Sequence, residues 1–179
     1  MDIIFNIDKN IILWLNKIFF DNVLAIKFFS FITHLADGGA IWIAITIVLI
    51  LKKYTRKNGI IMLVSLTISA IIGNGIIKNI VRRQRPFIEL DLTPFIPPPE
   101  GFSFPSGHSL ISFVGATCIF CINKKWGVIG YILAFFIALS RVVLMVHYPS
   151  DIITGSILGI IIALIITYLL KKLEGYYNK

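Results

Sequence analysis

Long charge-free stretches alternate along this chain with short clusters of Lys, Arg and Pro. About 20 apolar residues in a helix cross a hydrocarbon core about 30 Å thick. Five segments have this character, near 32–51, 58–78, 105–123, 126–146 and 150–170. The clearest is Asn58–Ile77, a run of 20 residues without a charge. Gly101–Asn123 carries no acid or base except His108, and Ile152–Leu170 adds 19 apolar or neutral residues. The first 31 residues read differently. Asn6, Asp8, Lys9, Asn10, Asn16 and Lys17 interleave with Ile, Leu, Trp and Phe at roughly helical spacing. That pattern predicts an amphipathic helix lying in the membrane interface over 1–31. A sixth span there is the alternative; it would bury Asp8, Lys9 and Lys17 at about 3 kcal/mol each near the bilayer centre. The expected fold is an all-α polytopic membrane helical bundle, one domain over 1–179, with five transmembrane helices, or six by that alternative.

Composition agrees. Hydrophobic residues make up 57% and charged residues 15%, with a mean hydropathy of +0.88. Soluble domains average about 45–50% apolar. A disordered chain is excluded, and so is a soluble nucleic-acid binder, which displays its basic charge on a water-exposed stripe. No nucleic-acid or obligate protein partner is expected; the partners are the bilayer and a lipid within it. The start, MDIIFNIDKN, carries acid where a secretory leader carries base, so no cleaved leader is expected. Cys118 and Cys121 lie in an apolar run and read as small packed residues. Five spans send nine basic residues and Glu174 to one membrane face, and eight basic and eight acidic residues to the other. The basic face is cytoplasmic by the positive-inside rule, with the C-terminus inside. The proline-rich loop 82–104 then faces outward from a bacterial cytoplasmic membrane.

Three short motifs fall on that outer face. In Lys78-Asn-Ile-Val-Arg82-Arg83-Gln-Arg85-Pro86, a continued helix places Lys78, Arg82 and Arg85 on one side. Lys78 directly follows an apolar run and needs an anionic partner. Arg offers a planar fork for phosphate and Lys a point charge. In Pro105-Ser106-Gly107-His108, Pro and Ser are helix-start signals. A helix N-terminus presents free amides to an anion, and a glycine there admits close approach. In Ser140-Arg141…His147…Pro149…Asp151, a carboxylate near a histidine can hold one ring nitrogen and leave the other free to act as nucleophile or base. Each motif alone is compatible with ordinary caps and headgroup contacts. Together they supply two histidines, an orienting carboxylate, at least three cations and a helix N-terminus, the inventory of phosphoryl transfer. Asp151 is the only acid among them, so no Mg²⁺ or other metal site and no cofactor is expected.

These motifs resemble the signature of the type 2 phosphatidic acid phosphatase (PAP2) superfamily: K-x6-R-P, then P-S-G-H, then S-R-x5-H-x3-D. The match runs through Lys78, Arg85-Pro86, Pro105–His108, Ser140-Arg141, His147 and Asp151 without a departure. The resemblance implies that His147 attacks phosphorus and forms a phosphohistidine, that Asp151 orients it, and that His108 protonates the leaving oxygen and later activates water. It implies that Lys78, Arg85, Arg141, Ser106 and the Gly107 amide hold the phosphate. Arg82 and Arg83 lie outside the signature and are expected as diphosphate or headgroup contacts. The implied activity is a metal-independent lipid phosphatase at the outer face, with undecaprenyl diphosphate as first candidate and phosphatidylglycerophosphate or phosphatidate as alternatives. A vanadate-dependent haloperoxidase shares the pocket but is soluble. A transporter would place ionisable groups near the bilayer midplane, whereas here they sit at one edge. A purely structural membrane protein leaves the coincidence of three motifs unexplained. Gly155 and Gly159 are expected to pack helices within the chain, His34 and Asp37-Gly38-Gly39 to form a helix end and turn, and Asn74 to bond a neighbouring helix.

Overall fold

The computed structural model describes residues 2–177, with side chains over 3–173. Lys179 and the side chains of Asp2 and Glu174, counted above for orientation, lie outside these. Helix α1 (Asp2–Phe19) is followed by α2 (Val23–His34), capped by Asn22, whose Oδ1 accepts from the Ala25 amide at 3.0 Å. A short 3₁₀ turn, Asp37–Gly39, leads into α3 (Ala40–Leu51). Gly38 and Gly39 take φ of 59° and 76°, which other residues seldom adopt. Helix α4 (Arg56–Ala70) runs through a π-helical stretch, Ile71–Ile77, into α5 (Lys78–Val81). After the single turn α6 (Pro86–Glu89) and a long loop come α7 (Gly107–Ile122), α8 (Lys124–Val143) and α9 (Pro149–Tyr177).

Among the described residues four helical stretches are long and apolar enough to cross a membrane: Val23–Leu51, Arg56–Glu89, Lys124–Val143 and Pro149–Leu173. The apolar helix Gly107–Ile122 is shorter. The first stretch starts at Val23 rather than near 32, because Lys27 is the only charge between Val23 and Thr33. The N-terminal segment expected over 1–31 is therefore divided between α1 and this stretch.

Helix α7 is the hub and packs most extensively on α8 and α9. Glycines allow this. A Cβ on Gly155 would fall 2.7 Å from the Ser106 carbonyl oxygen, and one on Gly159 2.4 Å from that of Leu110. The pair thus packs α9 on α7, as expected. Trp42 of α3 is fully buried beside α7 and donates from Nε1 to Ser112 Oγ at 3.0 Å. It joins Met62, Leu66, Val114, Ala134, Ile137 and Ala163 in the main core. Apolar residues such as Ile47, Ile132, Phe135, Ile157 and Ile161 face outward, the inverse of a soluble protein.

Helix α1 exposes apolar and polar residues alike and docks one narrow face on the bundle. Ile3, Ile4, Ile7 and Trp14 are exposed, while Asp8 and Ile12 are buried against the bundle. Ile12 packs with Val142, Met145 and Tyr148. Among the described charged residues of α1, Asp8 alone faces inward, where it finds a cationic partner, while Asn6, Lys9, Asn10 and Lys17 stay exposed.

Candidate active site

The functional side chains collect at the end of the bundle where α7 and α9 begin and α5 and α8 end. A cavity of about 510 Å³ opens among them, lined by Lys78, Arg85, Gly107, His108, Arg141 and His147 together with Ile43, Leu63, Leu66, Ala70 and Ile111. The lining combines cationic and apolar side chains.

Local chain chemistry brings these residues together. Lys78 and Arg85 do not share a continuous helix. Helix α5 ends at Val81, Arg82 turns left-handed at φ 50°, and Arg85 is extended before Pro86. A residue preceding proline is driven from the helical region, and that bend swings Arg85 inward. Arg82 is left exposed, its Nε bonded to the Asn79 carbonyl at 2.9 Å. The predicted common face of Lys78, Arg82 and Arg85 is therefore corrected: only Lys78 and Arg85 reach the cavity.

Arg85 is 3% exposed and tied to three carbonyls: Gly101 (2.9 Å), Glu100 (3.0 Å) and Val146 (2.9 Å). Its Nη1 also lies 3.3 Å from His147 Nε2. Arg141 is equally buried; Nη1 donates to Thr33 Oγ1 at 2.6 Å and Nε has no partner. Among the described residues no carboxylate pairs with Arg85 or Arg141. Two buried cations without an anion are costly, and a bound anion relieves the cost.

Helix α8 ends in a tight, fully buried turn over Leu144–Tyr148. The amides of Val146 and His147 both return to the Arg141 carbonyl at 3.1 Å, and Met145 takes φ 63°. This fixes His147 beside Arg141. Asp151, in the first turn of α9, lies behind it: Oδ2 is 3.5 Å from His147 Nδ1, accepts from Ser103 Oγ at 2.5 Å and accepts from the Tyr148 amide at 2.9 Å. Ser103 Oγ is also 3.3 Å from His147 Nδ1. A carboxylate at Nδ1 assigns the proton to that nitrogen, so Nε2 faces the cavity as a lone pair. Burial pushes the His147 pKa down to about 3, so the ring is neutral at pH 7.

Ser106 caps α7, its Oγ accepting from the Ser109 amide and hydroxyl at 3.4 and 3.0 Å. It is fully buried, and its own amide donates to the Asp151 carbonyl at 3.2 Å, which joins the α7 and α9 starts. Gly107 leaves its backbone open to the cavity, and a Cβ there would sit 2.8 Å from Asn74 Oδ1. His108 Nε2 contacts Asp37 Oδ1 at 3.0 Å, and Asp37 Oδ2 contacts His34 Nδ1 at 2.7 Å.

Several site residues went unread in the sequence. Asp151 is not the only acid present: Asp37 backs His108, and Asp8 reaches the Asp151 cluster through Arg83. Arg83, expected as a free headgroup contact, is held instead by Asp8 and Asp151. Asp37-Gly38-Gly39 was legible as a turn but not as the partner of a histidine 71 positions later. Ser103 carried no signal in its loop.

Known proteins share these features. The PAP2 superfamily pattern matches residues 58–174. An undecaprenyl-diphosphatase of Sulfolobus acidocaldarius is 37% identical over 121 residues, 66% of this chain and 58% of that protein. The bacitracin transport permease protein BcrC of Bacillus licheniformis is 29% identical over 144 residues, 78% of this chain and 70% of its own length. The chain thus spans less than two thirds of the first of these relatives. In fold, it superposes on the crystal structure of a transmembrane PAP2 type phosphatidylglycerolphosphate phosphatase from Bacillus subtilis with a TM-score of 0.78 and 24% identity, covering 96% of this chain and 88% of that one. With its three motifs converging on one cavity and the superfamily pattern running through most of its length, the chain belongs to the PAP2 superfamily.

Proposed function

We propose that this protein is a metal-independent phosphatase of lipid phosphates and diphosphates that works through a phosphohistidine on His147. The observation that carries the reading is the pair of buried guanidiniums, Arg85 and Arg141, which among the described residues pair with no carboxylate, beside a neutral histidine backed by Asp151. His147 Nε2 attacks phosphorus. Lys78, Arg85, Arg141 and the Gly107 amide take up the charge on the equatorial oxygens, with Ser106 holding the α7 start in place. His108 gives its proton to the leaving oxygen as the phosphorus–oxygen bond breaks. It then takes a proton from the water that attacks the phosphohistidine, which releases phosphate and restores His147. Asp151 and Ser103 hold the Nδ1 proton and balance the ring's positive charge.

The first substrate we assign is undecaprenyl diphosphate, supported by the name of the Sulfolobus relative and by the apolar residues among the cavity lining. Phosphatidylglycerophosphate is the second reading, supported by the solved Bacillus fold. We also assign α7 as a fifth crossing, α1 to the membrane boundary beside the site, and the site end to the outer face of the cytoplasmic membrane. The clusters Lys52-Lys53, Arg56-Lys57 and Lys124-Lys125 lie at the opposite end of their helices.

The test is phosphate release by detergent-purified protein with EDTA present. Undecaprenyl diphosphate, phosphatidylglycerophosphate and phosphatidate are offered in parallel, with His147→Ala as blank. Release that the variant lacks supports the mechanism, and the preferred lipid names the substrate. No release from any of them refutes it and leaves a lipid carrier as the better reading.

A further inference from the structure

Asp8 lies in α1, outside residues 58–174 that match the superfamily. We infer that Asp8 is a positioning residue for the phosphoryl transfer, acting through Arg83 on the carboxylate that holds His147. The inference rests on His147 being the nucleophile.

The connection is short and buried. Arg83 Nη1 donates to Asp151 Oδ1 at 2.8 Å, and Nη2 donates to Asp8 Oδ2 at 2.6 Å. The side chains of Asp8 and Asp151 are 3% and 0% exposed. Ser150 locks the arrangement: its amide and hydroxyl donate to Asp8 at 3.0 and 2.5 Å, and its oxygen accepts from Arg83 at 2.7 Å. The guanidinium lies 3.9 Å over the Tyr148 ring. Arg83 thus occupies Asp151 Oδ1 and turns Oδ2 toward His147, where Ser103 and the Tyr148 amide also hold it.

Charge gives Asp8 a further part. Arg83 and Asp151 alone sum to zero, and such a pair would oppose poorly the positive charge that grows on the His147 ring during attack. With Asp8 the cluster carries one net negative charge in a buried setting, where charges act strongly. The competing role is simple docking of α1 on the bundle, and Ile12 isolates that role because it packs α1 without charge.

The experiment compares Asp8→Asn, Ile12→Ala, Arg83→Met and the Asp8→Asn, Arg83→Met double variant in purified protein, reading kcat, KM and melting temperature on the preferred lipid. Asp8→Asn is expected to lower kcat on the order of tenfold or more with KM nearly unchanged, as small misplacements of reacting groups do. Ile12→Ala is expected to lower the melting temperature while kcat stays at the wild-type level. In the Arg83→Met background, Asp8→Asn should add nothing, since the connecting cation is gone. Wild-type kcat in Asp8→Asn overturns the inference, and so does a kcat loss that Ile12→Ala reproduces at equal destabilisation. An inactive wild type overturns instead the phosphatase reading beneath it.

Discussion

The α7–α9 contact sets the distance between the two halves of the site, and Gly159→Ala tests it. An alanine Cβ at 159 would sit 2.4 Å from the Leu110 carbonyl oxygen and 3.2 Å from both Phe113 Cβ and the Val114 amide nitrogen. Ordinary contact begins near 3.4 Å, so the helices must part by about 1 Å. The obstacle is backbone, which no rotamer change relieves. Overpacking of this kind costs about 1–3 kcal/mol, and alanine's helix preference returns up to about 1 kcal/mol. A net loss of about 1 kcal/mol lowers the melting temperature of a chain this size by roughly 2–4 °C. Activity should suffer more. Ser106, Gly107 and His108 ride on α7, Asp151 rides on α9, and the Ser106 amide to Asp151 carbonyl bond of 3.2 Å joins the two. A 1 Å displacement of reacting groups costs on the order of 100-fold in rate. The assay is thermal unfolding in detergent beside kcat, with Gly75→Ala as control, since a Cβ there meets nothing within 4 Å. If Gly159→Ala melts at the wild-type temperature and turns over at the wild-type rate, the close contact does not set the site geometry.

Four further outcomes follow. His147→Ala should abolish turnover while helicity by circular dichroism is unchanged; near-normal activity would remove it as nucleophile. Burial holds the His147 pKa at about 3, below its unfolded value of about 6.5, so the unfolded chain takes up a proton in that window and the folded chain does not. Stability should therefore fall as pH drops from about 6.5 toward 3, and His147→Gln should flatten that limb in melts read across the range. Arg141→Lys should raise KM by roughly tenfold or more, because a point charge cannot replace a buried guanidinium whose Nε is aimed without a partner, and a steady-state KM measurement decides it. Asp37→Asn should reduce kcat on the order of tenfold by removing the carboxylate 3.0 Å from His108 Nε2, and kcat compared with vanadate affinity separates that loss from weakened anion binding.

Much of the candidate site was readable because the ionisable residues that line the cavity come in tight local clusters. Lys78 with Arg85, Gly107 with His108, and Arg141 with His147 and Asp151 sit within a few turns of each other, and hydrophobic runs placed each cluster at a helix end. Helix periodicity failed where proline chemistry intervened. The spacing of Lys78, Arg82 and Arg85 fits one helical face, yet Pro86 forces an extended residue before it and sends Arg82 outward. Span limits failed at Val23 for another reason: the charges of α1 led residues 1–31 to be read as one interfacial segment, although Lys27 is the only charge between Val23 and Thr33 and the apolar stretch runs on through the Asp37–Gly39 turn.

What the sequence did not show in α1 is the partner of Asp8, and the cause is general. Asp8, Lys9 and Lys17 in a helix rich in Ile, Leu and Phe argue, by transfer cost, for a polar face in the membrane interface. That cost assumes lipid or water as the only surroundings. Here the carboxylate meets Arg83 at 2.6 Å and two groups of Ser150, so the protein itself supplies the polar environment for Asp8, while Lys9 and Lys17 stay exposed. The partners lie 75 and 142 positions away, beyond any periodicity. Two acids from the N-terminal region thus stand behind the two histidines of the site, Asp8 through Arg83 and Asp151, and Asp37 directly on His108. A charge that looks misplaced in a membrane helix is therefore best read as half of a pair whose other half is worth searching for among the site's own cations.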